Sequence, residues 1–236
     1  MGWWRALRFT LGAVAALLLL AAAGARAGSP TGTPGPPTRG GRVKSGTGFF
    51  VSAEGLLLTS GHVVAGCSGV TVWPSGASAL KARAIATDRQ LDIALLKVEG
   101  RREGGVASRY AEHPVPGEPV MMVGFGIVPT DPREAIFTRG TLAGRGTLAG
   151  GDKVLYLRAH MHPGDSGAPV IDRSGAVLGM VIGELSDKAG TGVAIASSEV
   201  RRFLSWNGVA AAAEGHAPAA APAAITALVQ CNPAPR

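Results

Sequence analysis

The chain has 236 residues, a formal net charge of +7, 46% hydrophobic residues and only 5% aromatic residues. Its basic residues are scattered, and the sequence shows neither a basic stripe nor an aromatic stacking platform, so we do not expect a nucleic-acid-binding protein. The length is sufficient for one compact unit with a sizeable core.

The first 27 residues have the pattern of a removable signal peptide. Arg5 and Arg8 supply a positive start, residues 11–23 form an uncharged apolar run, and residues 25–27 give an A-x-A cleavage motif before Gly28. The alternative is a membrane anchor, but the run is shorter than the roughly 20 residues that a spanning helix needs. We therefore expect cleavage, export to a periplasm or to the extracellular space, and no stable membrane insertion of the mature protein.

Two stretches of biased composition flank the central part of the chain. Residues 28–42 are rich in Pro and Gly and are predicted to form a linker, and residues 207–236 are predicted to form a loose Ala/Pro-rich tail. Between them, residues 43–206 are expected to form the folded domain.

Short apolar runs separated by turn residues dominate this domain and predict an all-β fold. One series of runs covers about residues 43–112 and a second covers about residues 115–206, which suggests two barrels with a cleft between them. A helix is predicted only near the end, where Ser197 or Ser198 would be a good N-cap.

The sequence contains two cysteines, Cys67 and Cys231. An even pair in an exported protein favours a disulfide. Such a bond would fasten the tail to the first half of the domain, and closing so long a loop would contribute about 4–5 kcal/mol in the chain-entropy model. The alternative is two unpaired thiols.

Three segments carry the chemistry: Thr-Ser-Gly-His ending at His62, Leu-Asp-Ile-Ala around Asp92, and Gly-Asp-Ser-Gly around Ser166. A serine hydroxyl becomes a nucleophile when a base removes its proton and a carboxylate orients that base. The order His, Asp, Ser is that of chymotrypsin-like enzymes and differs from the orders in α/β-hydrolases and subtilisin-like enzymes. Taken singly, the segments also fit an ordinary histidine, a solvated aspartate at a strand end and a turn. Together, in this order, they predict a serine endopeptidase.

The neighbours of these residues fit the same chemistry. Gly164 would let the backbone turn so that amide N–H groups point to the same place as the Ser166 hydroxyl and stabilise an oxyanion, each donor being worth about 3–4 kcal/mol. Asp92 opens an otherwise apolar run, and a buried carboxylate needs a partner, for which a histidine N–H is suited.

The three segments, together with residues 177–180 and 192–196, resemble the trypsin-like serine peptidases. The resemblance covers about residues 43–206 and is strongest to the protease domain of bacterial HtrA/Deg proteins. It implies two six-stranded antiparallel β-barrels with a short C-terminal helix, protein or peptide substrates, and no cofactor. By the same resemblance, His62 is the general base, Asp92 orients it, Ser166 is the nucleophile, and the Gly164 and Ser166 amides form the oxyanion hole.

The sequence departs from the family pattern in three places. We expect no PDZ domain, because only the Ala/Pro-rich tail follows residue 206, and HtrA-style peptide gating is not assumed. Ala168 replaces the usual second glycine after the nucleophile. Residues 42–45 do not resemble the activating Ile-Val-Gly-Gly terminus of digestive zymogens, so Asp165 is expected to lack an α-amino partner.

The prediction of substrate preference is based on His160. This residue lies six residues before Ser166, a position that in the family often forms the base of the primary pocket. The absence of an aspartate there disfavours a preference for Lys or Arg. We predict a pocket lined by His160 and Val181 that accepts an acidic or a modest apolar side chain. His160 and His162 would share one face of a strand, but no third ligand is nearby, so we expect no metal site.

Two functions of different classes are consistent with the sequence. The first is an active serine endopeptidase that works through an acyl-enzyme. The second is a catalytically dormant trypsin-fold protein with a binding or chaperone-like role, because a fold alone does not fix function. The complete set of His62, Asp92 and Ser166 favours the enzyme, and the oligomeric state is not predicted.

Overall fold

The computed structural model describes residues 43–100, 110–111, 113–126, 134–148, 150–210 and 222–233. All of these residues belong to the unit Arg39–Arg236. The predicted signal peptide, residues 1–27, and the predicted linker, residues 28–42, lie outside the described residues.

The first half of the described chain builds most of a closed six-stranded barrel. Its strands follow one another in the order β1-β12-β3-β4-β5-β2, and every pair is antiparallel. The strands are β1 (Lys44–Phe50), β2 (Leu56–Ser60), β3 (Cys67–Pro74), β4 (Leu80–Asp88), β5 (Ile93–Val98) and β12 (Thr226–Pro233).

The second half builds another closed barrel of six antiparallel strands, in the order β10-β11-β8-β7-β6-β9. Its strands are β6 (Pro119–Gly124), β7 (Ile136–Thr147), β8 (Lys153–Arg158), β9 (Pro169–Ile171), β10 (Val177–Glu184) and β11 (Thr191–Ala196). The prediction of two six-stranded barrels is confirmed.

Strands at the junction of the barrels are buried on both faces. Successive side chains of a strand point to opposite faces, so Leu57 packs inside the first barrel while its neighbour Leu58 packs in a layer shared with the second. In β5, Leu96 likewise packs inside the first barrel, and its neighbour Leu95 packs in the shared layer. From the second barrel, the shared layer takes Met180 among others. This is why these strands read as continuous apolar runs rather than as alternating patterns.

The prediction of a loose tail over residues 207–236 is wrong at its end. Residues Pro222–Ile225 form a helical turn, α3, and Thr226–Pro233 form β12, which lies between β1 and β3 in the first barrel. Without β12, these two strands would each present an unpaired edge, whose N–H and C=O groups require partners. Residues 43–112 therefore supply only five of the first barrel's strands.

The two cysteines are bonded to each other. Cys67 in β3 and Cys231 in β12 form a disulfide with a Cα–Cα distance of 5.4 Å across a sequence separation of 164 residues. The predicted disulfide is confirmed, and it fastens the closing strand of the first barrel to its neighbour.

The predicted C-terminal helix is present as α2 (Ser197–Trp206), and its apolar side packs in the layer shared by the barrels. The predicted serine N-cap is wrong, because Ala196 occupies the N-cap position. The Ser197 hydroxyl instead donates to the carbonyl of Ala111 at 2.6 Å. Across the described ranges, no helix has the length and apolar character needed to cross a bilayer.

Candidate active site

His62 lies on α1 (Gly61–Val64), a single helical turn that follows β2 directly. Val63 and Val64 are buried and pack inside the first barrel, whereas the His62 side chain is 52% exposed. The apolar side of the turn is thus anchored in the barrel, and the imidazole is left accessible.

Asp92 immediately precedes β5 and holds the His62 turn at three points. Its main-chain carbonyl accepts from the Gly61 N–H at 2.8 Å, and its Oδ1 accepts from the His62 N–H at 2.8 Å. Its Oδ2 lies 2.6 Å from His62 Nδ1. Because a carboxylate can only accept, this pairing places the proton of the neutral ring on Nδ1 and leaves Nε2 as an acceptor.

The backbone of Asp92 is in an unusual conformation. Its φ of +53° makes it the one non-glycine residue with positive φ among those the structure describes. Aspartate tolerates the left-handed region better than most residues, yet the conformation has a cost and persists only where surrounding contacts impose it. The three bonds to the His62 turn are such contacts.

Ser166 lies in a tight turn between β8 and β9. The turn is closed by bonds from Asp165 N–H to the His162 carbonyl at 3.0 Å and from Ala168 N–H to the Asp165 carbonyl at 2.8 Å. Gly164 has φ +103°, and a Cβ there would come within 2.6 Å of the Phe125 carbonyl. Conformation and space both require glycine at this position.

Two amides of this turn have no hydrogen-bond partner within the described ranges. Among the described residues, neither the Gly164 nor the Ser166 N–H has a hydrogen-bond acceptor. Pairs of free backbone N–H groups beside a serine hydroxyl are what an oxyanion hole requires.

The His62 and Ser166 segments meet at one carbonyl. The oxygen of Val181 accepts from the Gly167 N–H at 2.8 Å, next to Ser166, and from the Ser60 hydroxyl at 3.2 Å, two residues before His62. Between the two side chains themselves, no hydrogen bond joins Ser166 Oγ to His62 Nε2 in the part of the chain that the structure describes.

Asp165, beside Ser166, is buried, and its carboxylate accepts a hydrogen bond from His162. Its Oδ2 accepts from the His162 N–H at 2.7 Å and lies 3.4 Å from the ring Nδ1. Burial raises the pKa of the Asp165 carboxyl, and the backbone bond and charge of His162 act in the opposite direction. Within the described residues, His162 is therefore the partner of this carboxylate.

The two residues predicted to line a specificity pocket have different environments. His160 is exposed, and its ring makes an edge contact with His162 at a centroid distance of 4.7 Å. Val181 is fully buried in the second barrel, so its side chain does not line an open pocket and it contributes through its main chain. Met161 was not predicted to lie in this region. It contacts Gly192, where an added Cβ would approach the Met161 Sδ to 2.7 Å. In the described ranges, no group of three His, Cys, Asp or Glu side chains is placed to hold a metal.

Thr47, in β1, is a further residue that sequence reasoning missed. It is fully buried, its N–H donates to the Ser166 carbonyl at 2.8 Å, and its Oγ1 donates to the Gly164 carbonyl at 2.8 Å. Its sequence separation of 117 residues from Gly164 explains why no local pattern indicated it.

The comparisons with known proteins agree on one family. The trypsin-like peptidase domain family matches residues 46–180. The serine protease Rv3671c of Mycobacterium tuberculosis is 35% identical over 167 residues, which cover 67% of this chain and 41% of that protein. A probable periplasmic serine endoprotease, DegP-like, of Pseudomonas putida is 34% identical over 140 residues, covering 57% of this chain and 28% of the relative.

A solved structure agrees with this result. The crystal structure of the Rv3671c protease in its active form superposes with a TM-score of 0.62 at 31% identity, covering 73% of this chain and 77% of that one. The chain spans less than half the length of the two curated relatives. The family match extends over more than half of the chain, and the superposition shows that the two chains share a fold. The chain therefore belongs to the trypsin-like peptidase family.

Proposed function

We propose that the chain is an exported serine endopeptidase that hydrolyses peptide bonds through an acyl-enzyme intermediate. The observation that carries the proposal is the pairing of His62 Nδ1 with Asp92 Oδ2 at 2.6 Å, because it supplies an accessible imidazole with its free nitrogen available as a base. The family of the chain supports the same reaction.

In the first step, Ser166 Oγ attacks the carbonyl carbon of the scissile peptide bond and passes its proton to His62 Nε2. Asp92 stabilises the imidazolium that forms, and it does so through the bond that already orients the ring. The electron pair of the carbonyl moves onto its oxygen, which accepts hydrogen bonds from the Gly164 and Ser166 N–H groups.

In the second step, the carbon–nitrogen bond breaks and His62 returns the proton to the departing amine. The acyl group remains as an ester on Ser166. A water molecule then repeats the sequence: His62 takes its proton, the ester bond breaks, and Ser166 recovers its hydrogen.

The second candidate function is a dormant trypsin-fold protein that binds other proteins. The observation that favours it is the lack of a Ser166–His62 hydrogen bond in the described residues. Catalytic hydrogen bonds are often long without substrate and tighten in the substrate complex, so we place the peptidase first and use covalent labelling to decide.

Substrate choice is proposed to depend on His160 and Met161. The exposed imidazole of His160 would attract an acidic side chain, and the Met161 thioether beside Gly192 would limit the size of an apolar one. Cleavage of a peptide library should occur mainly after acidic or modest apolar residues. Cleavage mainly after Lys or Arg would contradict this preference.

The export proposal is supported by the signal-like residues 1–27 and by the Cys67–Cys231 disulfide, since such bonds persist in oxidising compartments. The intact mass of the exported protein should correspond to a chain that begins at Gly28. A mature chain that retains residues 1–27 would contradict it.

The activity is tested with a fluorophosphonate probe that reacts only with activated serines. The wild-type chain should be labelled, Ser166→Ala should not, and Ser198→Ala, which removes an exposed serine of α2, should be labelled as the wild type is. Removal of the nucleophile should lower kcat about 10⁶-fold, the size of the loss when subtilisin is deprived of its catalytic serine. A folded wild type that stays unlabelled would decide for the dormant binding protein.

A further inference from the structure

Thr47 lies at the point where β1 extends past the end of its pairing with β2. That pairing runs from Gly48, opposite Thr59, to Phe50. One residue earlier, the Thr47 N–H donates to the Ser166 carbonyl at 2.8 Å. The turn that carries Ser166 therefore continues the hydrogen bonding of β1 where the pairing of β1 with β2 has ended.

The Thr47 hydroxyl makes two hydrogen bonds, and the chemistry of its two partners determines in which bond it donates. Oγ1 is 2.8 Å from the Phe125 N–H and 2.8 Å from the Gly164 carbonyl. An N–H group can only donate and a carbonyl can only accept. The hydroxyl therefore accepts from Phe125 and directs its own hydrogen to Gly164.

The two residues held in this way are those whose amides have no hydrogen-bond partner within the described ranges. Thr47 binds the carbonyl of Gly164 through its side chain and the carbonyl of Ser166 through its main chain. Gly164, with φ +103° and no Cβ, has little conformational restraint of its own. The Thr47 hydroxyl supplies the restraint that glycine lacks.

The barrels contact each other closely around this residue. A Cβ on Gly167 would overlap the Thr47 carbonyl, and the same carbonyl accepts from the Thr59 hydroxyl at 2.6 Å. Thr47 itself is fully buried. The first barrel thus fixes the position of Thr47, and the hydrogen bonds of Thr47 hold the Ser166 turn of the second barrel.

We propose that Thr47 is a positioning residue that orients the Gly164 and Ser166 amides toward the developing oxyanion. The proposal rests on the proposed peptidase function. It assigns to the first barrel a role in the oxyanion hole in addition to carrying the base. An ordinary core threonine would affect stability and leave the chemical step unchanged, so the two roles can be separated by experiment.

The test is Thr47→Val, which keeps the size and β-branching of the side chain but removes the hydroxyl. A displacement of about 1 Å at a catalytic group costs about 10²-fold, so we expect kcat to fall 10- to 100-fold with KM changed less than about threefold. Thr47→Ser restores the hydroxyl and should restore most of kcat. A matched control is Thr226→Val, in another fully buried threonine of the same barrel. Among the described residues its hydroxyl bonds only to the Ala223 carbonyl, and its removal should leave kcat unchanged.

Hydrogen exchange of the peptide covering residues 162–168 is measured in the same variants, because it needs no turnover. We expect faster exchange in Thr47→Val than in wild type, Thr47→Ser or Thr226→Val. Unchanged kcat in an active Thr47→Val protein, or unchanged exchange in this peptide, overturns the positioning role while leaving the peptidase proposal intact. An unlabelled wild type overturns the peptidase proposal instead, and the exchange experiment then still decides whether the Thr47 hydroxyl restrains the turn.

Discussion

The two barrels differ in how the chain completes them. All six strands of the second barrel come from one continuous stretch, Pro119 to Ala196, whereas the first takes five strands from Lys44–Val98 and its sixth from Thr226–Pro233. The cost of closing a loop rises with its length. The half of the candidate site that holds His62 and Asp92 therefore depends on a strand from the far end of the chain, and the half that holds Ser166 does not.

The largest effect is expected from removing that strand. Deleting residues 222–236 would leave β1 and β3 with unpaired edges. We therefore expect the amides of the first barrel to lose their protection from hydrogen exchange and peptidase activity to fall below detection. Hydrogen exchange, read separately over residues 44–98 and 119–196, measures which barrel is affected. The control deletes only residues 234–236, which follow β12, and should behave as wild type. Equal loss of protection in both barrels would contradict an unequal dependence on the chain end.

A smaller effect is expected from removing the disulfide alone. In the double variant Cys67→Ser and Cys231→Ser, β12 keeps its backbone pairing with β1 and β3, but the covalent closure of the long loop is lost. We expect the free energy of unfolding to decrease by about 2–5 kcal/mol, measured by denaturant titration. The single variant Cys67→Ser is the matched comparison and should lose a similar amount. A double variant as stable as wild type would show that backbone pairing alone secures β12.

The smallest effect concerns the turn of the second barrel. Burial raises the pKa of the Asp165 carboxyl above its ordinary value of 3.8, so ionising this group costs the folded protein stability. The stability of wild type relative to Asp165→Asn should therefore be greatest at low pH and decline as the pH rises through the pKa of Asp165. Denaturant titrations from about pH 3 to pH 7, a range that spans carboxyl titration, measure the difference.

A second variant, His162→Gln, tests the effect of the His162 ring on the pKa of Asp165. The variant removes the ring charge that lowers the pKa of Asp165. Measured against the double variant His162→Gln and Asp165→Asn, the decline should therefore extend to higher pH. A relative stability that rises with pH, or a decline that does not extend further in His162→Gln, would contradict the assigned electrostatics.

Much of the site could be predicted because its signals are local. His62 and Asp92 each lie at the start or end of a short apolar strand, and the glycines around Ser166 mark a turn. The apolar runs of the two barrels are equally local, and the disulfide was predicted because the chain has two cysteines and was expected to be exported. In each case, a few neighbouring residues carry the physical reason for the structure.

The rest depends on contacts between distant residues. The Ala/Pro-rich composition before residue 222 concealed β12, although Cys231 was a signal, because a bonded cysteine must lie within about 7 Å of its partner's Cα. Thr47 resembles any other strand threonine until the Ser166 turn is placed against it. Val181 was expected to line a pocket, but its side chain faces the core and only its carbonyl reaches the junction of the two segments.

The pairing of β1 with β12 brings the two ends of the folded unit together, since Lys44 lies opposite Cys231. Opposed residues of antiparallel strands are about 5 Å apart, so a linker of a few residues would join the ends and permit circular permutation. The Lys44 ammonium also bonds to the His62 carbonyl at 3.3 Å. A load applied to the chain at Lys44 would thus act on the main chain of the turn that carries the His62 imidazole.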